Sequence, residues 1–599
     1  MTQHLVQSFR AKFAVRKETT AIRFQQNGEW QQTSWQTLLD YSESVAKALL
    51  TLGCEAQTKV GIFAHNRPEW SFADLGILTA RCVTVPIYPT NTTEQTRYIV
   101  KDAGIDYLFV GAQEQFDKAV ELLTTDDLQL VIALTAEIDL KGHSKAIHFA
   151  DFIQRTNGLS DNEFEQRLTD ASMDDLVTLI YTSGTTGQPK GVMLDYTNFA
   201  AAFRIHDKMI DVSETDTSIA FLPLSHVLER SWSFYMMHRG AQNVYLENPK
   251  LIIDVLAEVK PTVLVAVPRL YEKIYSTIHS RIESASAVKK ALFSWATRVG
   301  AAHFELTHYN KVPSVWLNLQ YQLADKLIYN KLRGILGGNT RFLPCGGAKV
   351  DPEINQFFQS IGIELQAGYG MTETTATICC HRGTGFSFSS IGLPLPEMEV
   401  KIGQDNEILV RGDTVMKGYY NMPEETANHF IDGWLKTGDA GEILANGEVV
   451  MTERIKELMK TSNGKYIAPQ LVEGTLNKDH FIDQVAIVAD SRHFVSALIV
   501  PSFDALEEYA NSINLQFSSK AELLRHSHIV TLFEKRLNEL QSELANFEKV
   551  KKFKLLNREF CMKKGEITPT LKLRRKIIET EYKADIDEMY SSPKNSPKE

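Results

Sequence analysis

Tyr181-Thr-Ser-Gly-Thr-Thr-Gly-Gln-Pro-Lys-Gly-Val-Met-Leu194 holds more potential chemistry than any other stretch of the chain. Gly184, Gly187 and Gly191 permit positive φ and close backbone approach, while Thr182, Ser183, Thr185 and Thr186 add hydroxyl donors to a nest of backbone N–H groups. Lys190 supplies a full positive charge. Such a loop is suited to holding a polyphosphate. It is not the P-loop of kinases and GTPases, because Pro189 precedes the lysine and no hydroxyl follows it. The bland alternative is a flexible Gly/Thr turn. The apolar, β-branched run Leu176-Val-Thr-Leu-Ile180 reads as a buried parallel strand, so the loop leaves a strand end, where open α/β sheets bind ligands.

The elements that must position this loop are short β-rich runs alternating with helical segments from about residue 40. Val60–Phe63, Val83–Ile87, Tyr107–Val110, Leu130–Leu134, Ser218–Phe221 and Thr262–Val267 read as strands, and the βα alternation predicts an α/β fold of doubly wound, mostly parallel sheets. A helical excursion is expected over about 270–335, where Leu319, Leu323, Leu327 and Leu332 have helical spacing. A small β-rich subdomain is expected at about 390–450, closing a large N-terminal domain over 1–452. A smaller, mobile α+β C-terminal domain follows over 453–587, with strands at Gln484–Val488 and Val495–Val500, an insertion at about 502–545, and an amphipathic helix over 520–547. The stretch Ser591–Glu599 has no apolar anchor, and residues 588–599 read as a disordered tail.

Composition narrows the function classes. A chain of 599 residues has room for roughly four domains of about 150 residues. Its 74 acidic against 64 basic residues give a net charge of -10, which disfavours nucleic acid as a polymer partner and makes a nucleotide the better substrate candidate. The six cysteines show no Cys-x-x-Cys spacing, so neither a zinc site nor a disulfide framework is indicated, and a reducing cytoplasm fits. No apolar run reaches about 18 residues, which excludes a membrane span but leaves peripheral contact with the inner face of a membrane open, as it leaves homodimer formation.

Together with the 181–194 loop, Gly346-Gly-Ala348, Gly368-Tyr-Gly-Met-Thr-Glu373, Gly433-Trp-Leu-Lys-Thr-Gly-Asp439 and Glu453-Arg-Ile-Lys-Glu457 occur in an order that resembles the adenylate-forming superfamily. That superfamily includes acyl-CoA synthetases, luciferases and the adenylation domains of peptide synthetases. The helical excursion, Asp432 to Glu442, the 502–545 insertion and Glu566-Ile-Thr-Pro-Thr-Leu-Lys572 resemble its long-chain fatty acyl-CoA synthetase branch.

The resemblance implies an ATP- and Mg²⁺-dependent ligase that makes an acyl-AMP and then passes the acyl group to coenzyme A. Thr182, Ser183, Gly184, Thr185, Thr186, Gly187 and Lys190 would wrap the phosphates. Thr182 and Glu373 would hold Mg²⁺, and Thr372 would donate to the α-phosphate. Gly346, Gly347, Ala348, Tyr369 and Gly370 would border the adenine. Ala367 stands where many relatives carry an amide, which passes recognition of the adenine amino group to backbone carbonyls. Asp439 and Arg454 would reach the ribose, and Glu453 stands at the hinge. Lys456 and Glu457 read as an exposed helix start. Ser462 and Gly464 would border the coenzyme A tunnel, and His226 would sit beside the acyl carboxylate.

Lys572 is the expected adenylation lysine, although Leu571 replaces the glycine usual before it outside the long-chain branch, and Arg574, Arg575 and Lys576 read as the start of a solvated helix. Trp232, Phe234 and Tyr235 read either as lining of an acyl tunnel or as ordinary core. A fatty acid of medium or long chain is the expected substrate. The other readings are an adenylating enzyme for another carboxylic acid, one loading a free-standing carrier protein, and a non-catalytic acyl or nucleotide sensor.

Overall fold

The computed structural model describes residues 4–123, 128–156, 159–182, 188–454, 458–463, 465–568 and 572–591. Its centre is an eight-stranded sheet. In spatial order the strands are Gly418–Tyr419, Lys190–Asp195, Leu176–Thr182, Val83–Ile87, Lys59–Phe63, Ile105–Val110, Leu130–Ala133 and Ala146–His148. The run from Leu176–Thr182 to Ala146–His148 is parallel, and its middle strands are apolar on both faces, as a sheet covered on both sides requires. Lys190–Asp195 turns back antiparallel, with Thr182 opposite Lys190, so the glycine-rich segment closes a hairpin within one sheet.

A second sheet is ordered Thr217–Ala220, Gln242–Tyr245, Thr20–Gln26 and Glu29–Ser34. Thr20–Gln26 lies parallel to Gln242–Tyr245, with Ile22 opposite Asn243. The preceding helix, Leu5–Arg16, buries Leu5, Val6, Phe9 and Phe13, while its half-buried basic residues bind neighbouring elements, Arg10 to Glu43, Lys12 to the His238 carbonyl and Arg16 to Glu214. Phe9 packs on Phe203 and Phe234, and Phe13 on Trp35. A third sheet runs Phe342–Cys345, Glu364–Tyr369, Cys379–Cys380 and Leu393–Pro394. The β-rich subdomain contains Glu399–Ile402, Glu407–Arg411, Phe430–Ile431, Trp434–Ile443 and Val449–Arg454.

Four sequence expectations need correction. Thr262–Val267 is not a regular strand: Thr262 and Val263 donate to Thr217, whereas Val263 and Ala266 bridge to Phe342 and Cys345, so its backbone groups are divided between two sheets. The helix expected over 520–547 is two, Lys520–Arg525 and Ser527–Leu540, because His526 is extended and its Nδ1 caps the second by accepting from the His528 N–H. The tail begins later than 588, since Lys583–Tyr590 is helical and the Tyr590 hydroxyl reaches the carbonyls of Val488 and Phe494; residues 592–599 lie outside the described residues. Arg575 is not solvated, because its guanidinium clamps Glu473 on the helix Pro469–Leu476.

The excursion is helical over Pro268–Glu283, Ala287–His308 and Val315–Ala324, followed by a π-turn at Asp325–Tyr329 and a short helix, Asn330–Arg333. Beyond residue 458, Ile482–Val488, Val495–Pro501 and Val550–Leu555 form a three-stranded sheet with its own apolar core. This part docks on the excursion and its neighbour. Arg269 binds Asp483, Lys478 binds Asp351 at 2.8 Å, and Ser280 meets His480 at 3.3 Å.

Candidate active site

The hairpin base and Glu373 are brought together by the strand Gly418–Tyr419, which pairs with Met193 and Val192. The next residue, Tyr420, donates its N–H to the Gly191 carbonyl, and Met416 donates to the Glu373 carbonyl. The Tyr419 hydroxyl then donates to Glu373 Oε1 at 2.9 Å. Burial, followed by the adjoining Glu373 and Glu425 carboxylates, pushes the Tyr419 phenol far above its usual range, so it remains a donor at all working pH. Lys190 lies 5.1 Å above the Tyr419 ring and pairs with Glu425 on the helix Pro423–His429. Ser183, Gly184, Thr185, Thr186 and Gly187 lie outside the described residues.

Glu373 and Thr372 are buried in a one-turn 3₁₀ helix, Thr372–Thr374. Gly370 makes the approach to it. A Cβ at this position would collide with the Ala376 carbonyl, so no other residue fits this backbone path. Tyr369, at the end of the strand Glu364–Tyr369, donates its hydroxyl to the buried Asp439 carboxylate on Trp434–Ile443. Asp439 is opposite Arg454 in the neighbouring strand. Gly346, Gly347 and Ala348 follow the strand Phe342–Cys345. Gly346 lies under the Gly368 carbonyl, and Gly347 adopts φ 87°, which favours glycine. The Ala367 carbonyl accepts from the His381 N–H at 2.8 Å, which engages part of its acceptor capacity.

His226 caps the helix Val227–Arg239, accepting the Leu228 N–H on Nδ1 at 3.2 Å. That bond assigns the proton of the neutral ring to Nε2. Burial, aided by the Lys572 ammonium, lowers the imidazole to about 4, so the ring is neutral at pH 7 and the lysine lies within electrostatic reach of it. Lys572 is itself held by its backbone. Its N–H donates to Thr568 Oγ1 at 3.0 Å, its carbonyl accepts from Thr568 N–H at 2.8 Å, and Ile567 bridges to Leu573. Buried Glu566 anchors this turn through two bonds from Arg558 and one from the Cys561 N–H.

Several contributors had little sequence signal. The Asn66 amide donates to the Ala220 and Leu222 carbonyls and its oxygen accepts from Leu224 N–H, which fixes the Phe221–His226 loop. The one available hint was its place just after the strand Lys59–Phe63, at the ligand-binding edge of a parallel sheet. Glu229 supports the same loop from within. It accepts from Leu222 N–H and Ser233 Oγ, and burial raises its carboxyl to about 8 against those hydrogen bonds. Tyr419 and Glu425 had no motif to mark them.

Trp232, Phe234 and Tyr235 belong to the main core. The Trp232 indole donates to Ser218 Oγ, and Phe234 packs against Phe199 and Phe9. Ser462 is at the molecular surface, where its hydroxyl meets His493 Nδ1 at 2.8 Å. Gly464, Lys456 and Glu457 fall outside the described residues. Thus Lys190 and Glu373 share one locus, Tyr369, Asp439 and the backbone at Arg454 a second, and His226 and Lys572 a third.

Comparison with known proteins identifies the family. Residues 9–420 match the AMP-binding enzyme family, and 456–594 match the AMP-binding enzyme C-terminal domain. The long-chain-fatty-acid–CoA ligase FadD15 of Mycobacterium bovis is 31% identical over 571 residues, covering 94% of this chain and 93% of the relative. The human long-chain-fatty-acid–CoA ligase 6 is 30% identical over 594 residues, covering 94% and 83%. Among solved structures, the adenylation domain of a carboxylate reductase from Mycobacterium chelonae superposes with a TM-score of 0.78 at 21% identity, over 98% of this chain and 91% of that one. The o-succinylbenzoate coenzyme A synthetase of Bacillus subtilis, in complex with ATP and magnesium ion, gives 0.66 at 20% identity over 95% and 98%. The chain belongs to the AMP-binding, adenylate-forming enzyme family, in its long-chain fatty acyl-CoA synthetase branch.

Proposed function

We propose that the chain activates a medium- or long-chain fatty acid with ATP and transfers it to coenzyme A, with the residue roles that follow. The observation that supports the reading is the electrostatic reach of the Lys572 ammonium, distant in sequence, to buried His226, beside the paired strands that flank the glycine-rich loop and a tyrosine–aspartate pair. In the first step a carboxylate oxygen attacks the α-phosphate, the bond to the β-phosphate breaks, and pyrophosphate leaves. Both reactants are anionic. The Lys572 ammonium and the Thr372 hydroxyl offset charge on the α-phosphate, and the hairpin with Lys190 takes the departing phosphates. Neutral His226 offers its Nε2–H to a carboxylate oxygen and orients it. Asp439 and Arg454 hold the ribose, and the adenine lies along Gly346 to Ala348 beside Tyr369. In the second step the coenzyme A sulfur attacks the acyl carbonyl, AMP leaves and the thiol proton is released.

The donor set fits Mg²⁺. Glu373 offers a buried carboxylate and Thr182 a hydroxyl at the hairpin base, and no cluster of three or more His, Cys, Asp or Glu suited to a metal occurs among the described residues. An ion that takes few protein oxygens and completes its shell with phosphate and water suits such a site. When bound, it neutralises phosphate charge. We place the hinge between the two parts near Glu453, since Lys572 must leave before a thiol can enter. Ser462 and Gly464 would border the thiol's path.

The test is pyrophosphate release across C2 to C20 acids, with and without coenzyme A. Each buried methylene contributes about 0.8 kcal/mol, nearly fourfold in affinity, so kcat/KM should climb over several carbons and level where the acyl pocket ends. A maximum at acetate or at an aromatic acid would overturn the fatty-acyl assignment.

A further inference from the structure

The excursion carries an apolar surface that the site does not use. Val312, Val315, Trp316, Leu319, Leu323 and Leu327 all face solvent, from 38% exposed at Leu327 to 91% at Val312, with Trp316 at 69%. They are not a misplaced core face. The opposite side of the same helix is anchored: Tyr321 stacks on His303, Ala324 and Tyr329 are buried, and the Tyr329 hydroxyl donates to the Ala296 carbonyl at 2.5 Å. The helix therefore carries apolar side chains on its open side as well as its covered one, an arrangement that calls for an external partner.

Charge identifies that partner. In a chain of net charge -10, residues 306–350 contain six Lys or Arg and a single acid, Asp325, which Arg333 already pairs at 2.6 Å. Lys311, Lys326 and Lys331 are exposed beside the apolar row. A second copy docked through this face would set lysines against lysines with no acid to relieve them. An anionic lipid surface meets both demands, taking the Trp and Leu side chains below the headgroups while the lysines extend to the phosphates. Among the described residues no helix is long and apolar enough to span, so the contact would be peripheral.

We propose that the face formed by Val312 to Lys331 docks the enzyme on a bilayer containing anionic lipid. The proposal rests on the fatty-acid reading only for its purpose, because a long-chain acid is concentrated in the membrane where the enzyme would meet it. The experiment uses the full chain and sediments it with vesicles of phosphatidylcholine alone or with about a third phosphatidylglycerol. The wild type should partition onto the anionic vesicles, and Trp316→Ser/Leu319→Ser/Leu323→Ser should reduce partition at least ~10-fold. Lys326→Glu/Lys331→Glu should remove the preference for anionic over neutral vesicles. Activity on octanoate in vesicle-free buffer should be unchanged in both variants, and that assay tests the ligase reading independently of docking. Absence of wild-type partition, or equal partition by the variants, would overturn the proposal. So would a wild-type dimer, seen by light scattering, that the apolar variant makes monomeric without any vesicle binding.

Discussion

A short turn, closed by Thr568 and anchored by Glu566, fixes the backbone of Lys572 within electrostatic reach of His226. If the ammonium acts on the α-phosphate alone, Lys572→Ala should slow acyl-AMP formation by roughly 10²–10³-fold, the loss expected for one preorganised donor. With synthetic acyl-AMP and coenzyme A supplied, the same variant should form thioester at close to the wild-type rate, and equal loss in both steps would reject the role. Glu229 makes a different prediction. In the unfolded chain its carboxyl loses its proton near 4.5, whereas the folded site retains it up to about 8. Between these values the unfolded state binds fewer protons, so this residue erodes stability as pH rises, by about 1 kcal/mol per pH unit. Glu229→Gln can accept the Leu222 N–H and donate to Ser233, keeping the loop while removing the titration. The melting-temperature advantage of the variant should grow from pH 5 to 8; a constant difference would show that Glu229 does not titrate there.

Between elements, the helix carrying His226 is fixed to Pro68–Thr79 by a fully buried ion pair, Arg230 with Asp74, at 2.6 and 3.0 Å. Removing one partner leaves the other charge buried, so Asp74→Ala should cost about 3–5 kcal/mol, whereas Asp74→Leu/Arg230→Met should recover most of it. Urea unfolding of the two variants checks this, and equal midpoints would count against the pair. The parallel strands were legible at this scale because a strand covered on both faces must be apolar throughout, and the glycine-hydroxyl loop because close approach to phosphate restricts residue type. Thr262–Val267 misled because its composition is that of a strand while its hydrogen bonds go to two sheets. The row from Leu319 to Leu327 gave the helix correctly, but spacing alone does not say whether an apolar face meets protein. Asn66, Glu229 and Tyr419 were invisible, since their work depends on segments distant in sequence. Ser183 to Gly187, outside the described residues, stand as expectations from the motif.

Across the whole molecule, the C-terminal part is held by polar contacts, Arg269 to Asp483 and Lys478 to Asp351 and Glu353. Partly exposed ion pairs contribute about 0–1 kcal/mol each, weak enough to be made and broken within a catalytic cycle. Arg269→Ala/Lys478→Ala should therefore lower the population with Lys572 seated and slow adenylation by up to roughly tenfold, leaving thioester formation from acyl-AMP unaffected. Rapid-quench measurement of the two half-reactions decides it: parallel losses would mean that the contacts serve only stability.

The parallel pairing of Thr20–Gln26 with Gln242–Tyr245 has a consequence for the birth of the chain. One edge of this early strand pairs at once with Glu29–Ser34, but the other must wait for a partner about 220 residues downstream, and Phe9 on the helix before it waits likewise for Phe203 and Phe234. At ribosomal speeds of about 5–20 residues per second, that is an interval on the order of ten to forty seconds. Phe13 has Trp35 close behind it, but Phe9 finds Phe203 and Phe234 late, so the nascent chain offers part of an aromatic helix to chaperones throughout that interval, and a fragment ending before Gln242 has no means of completing this sheet.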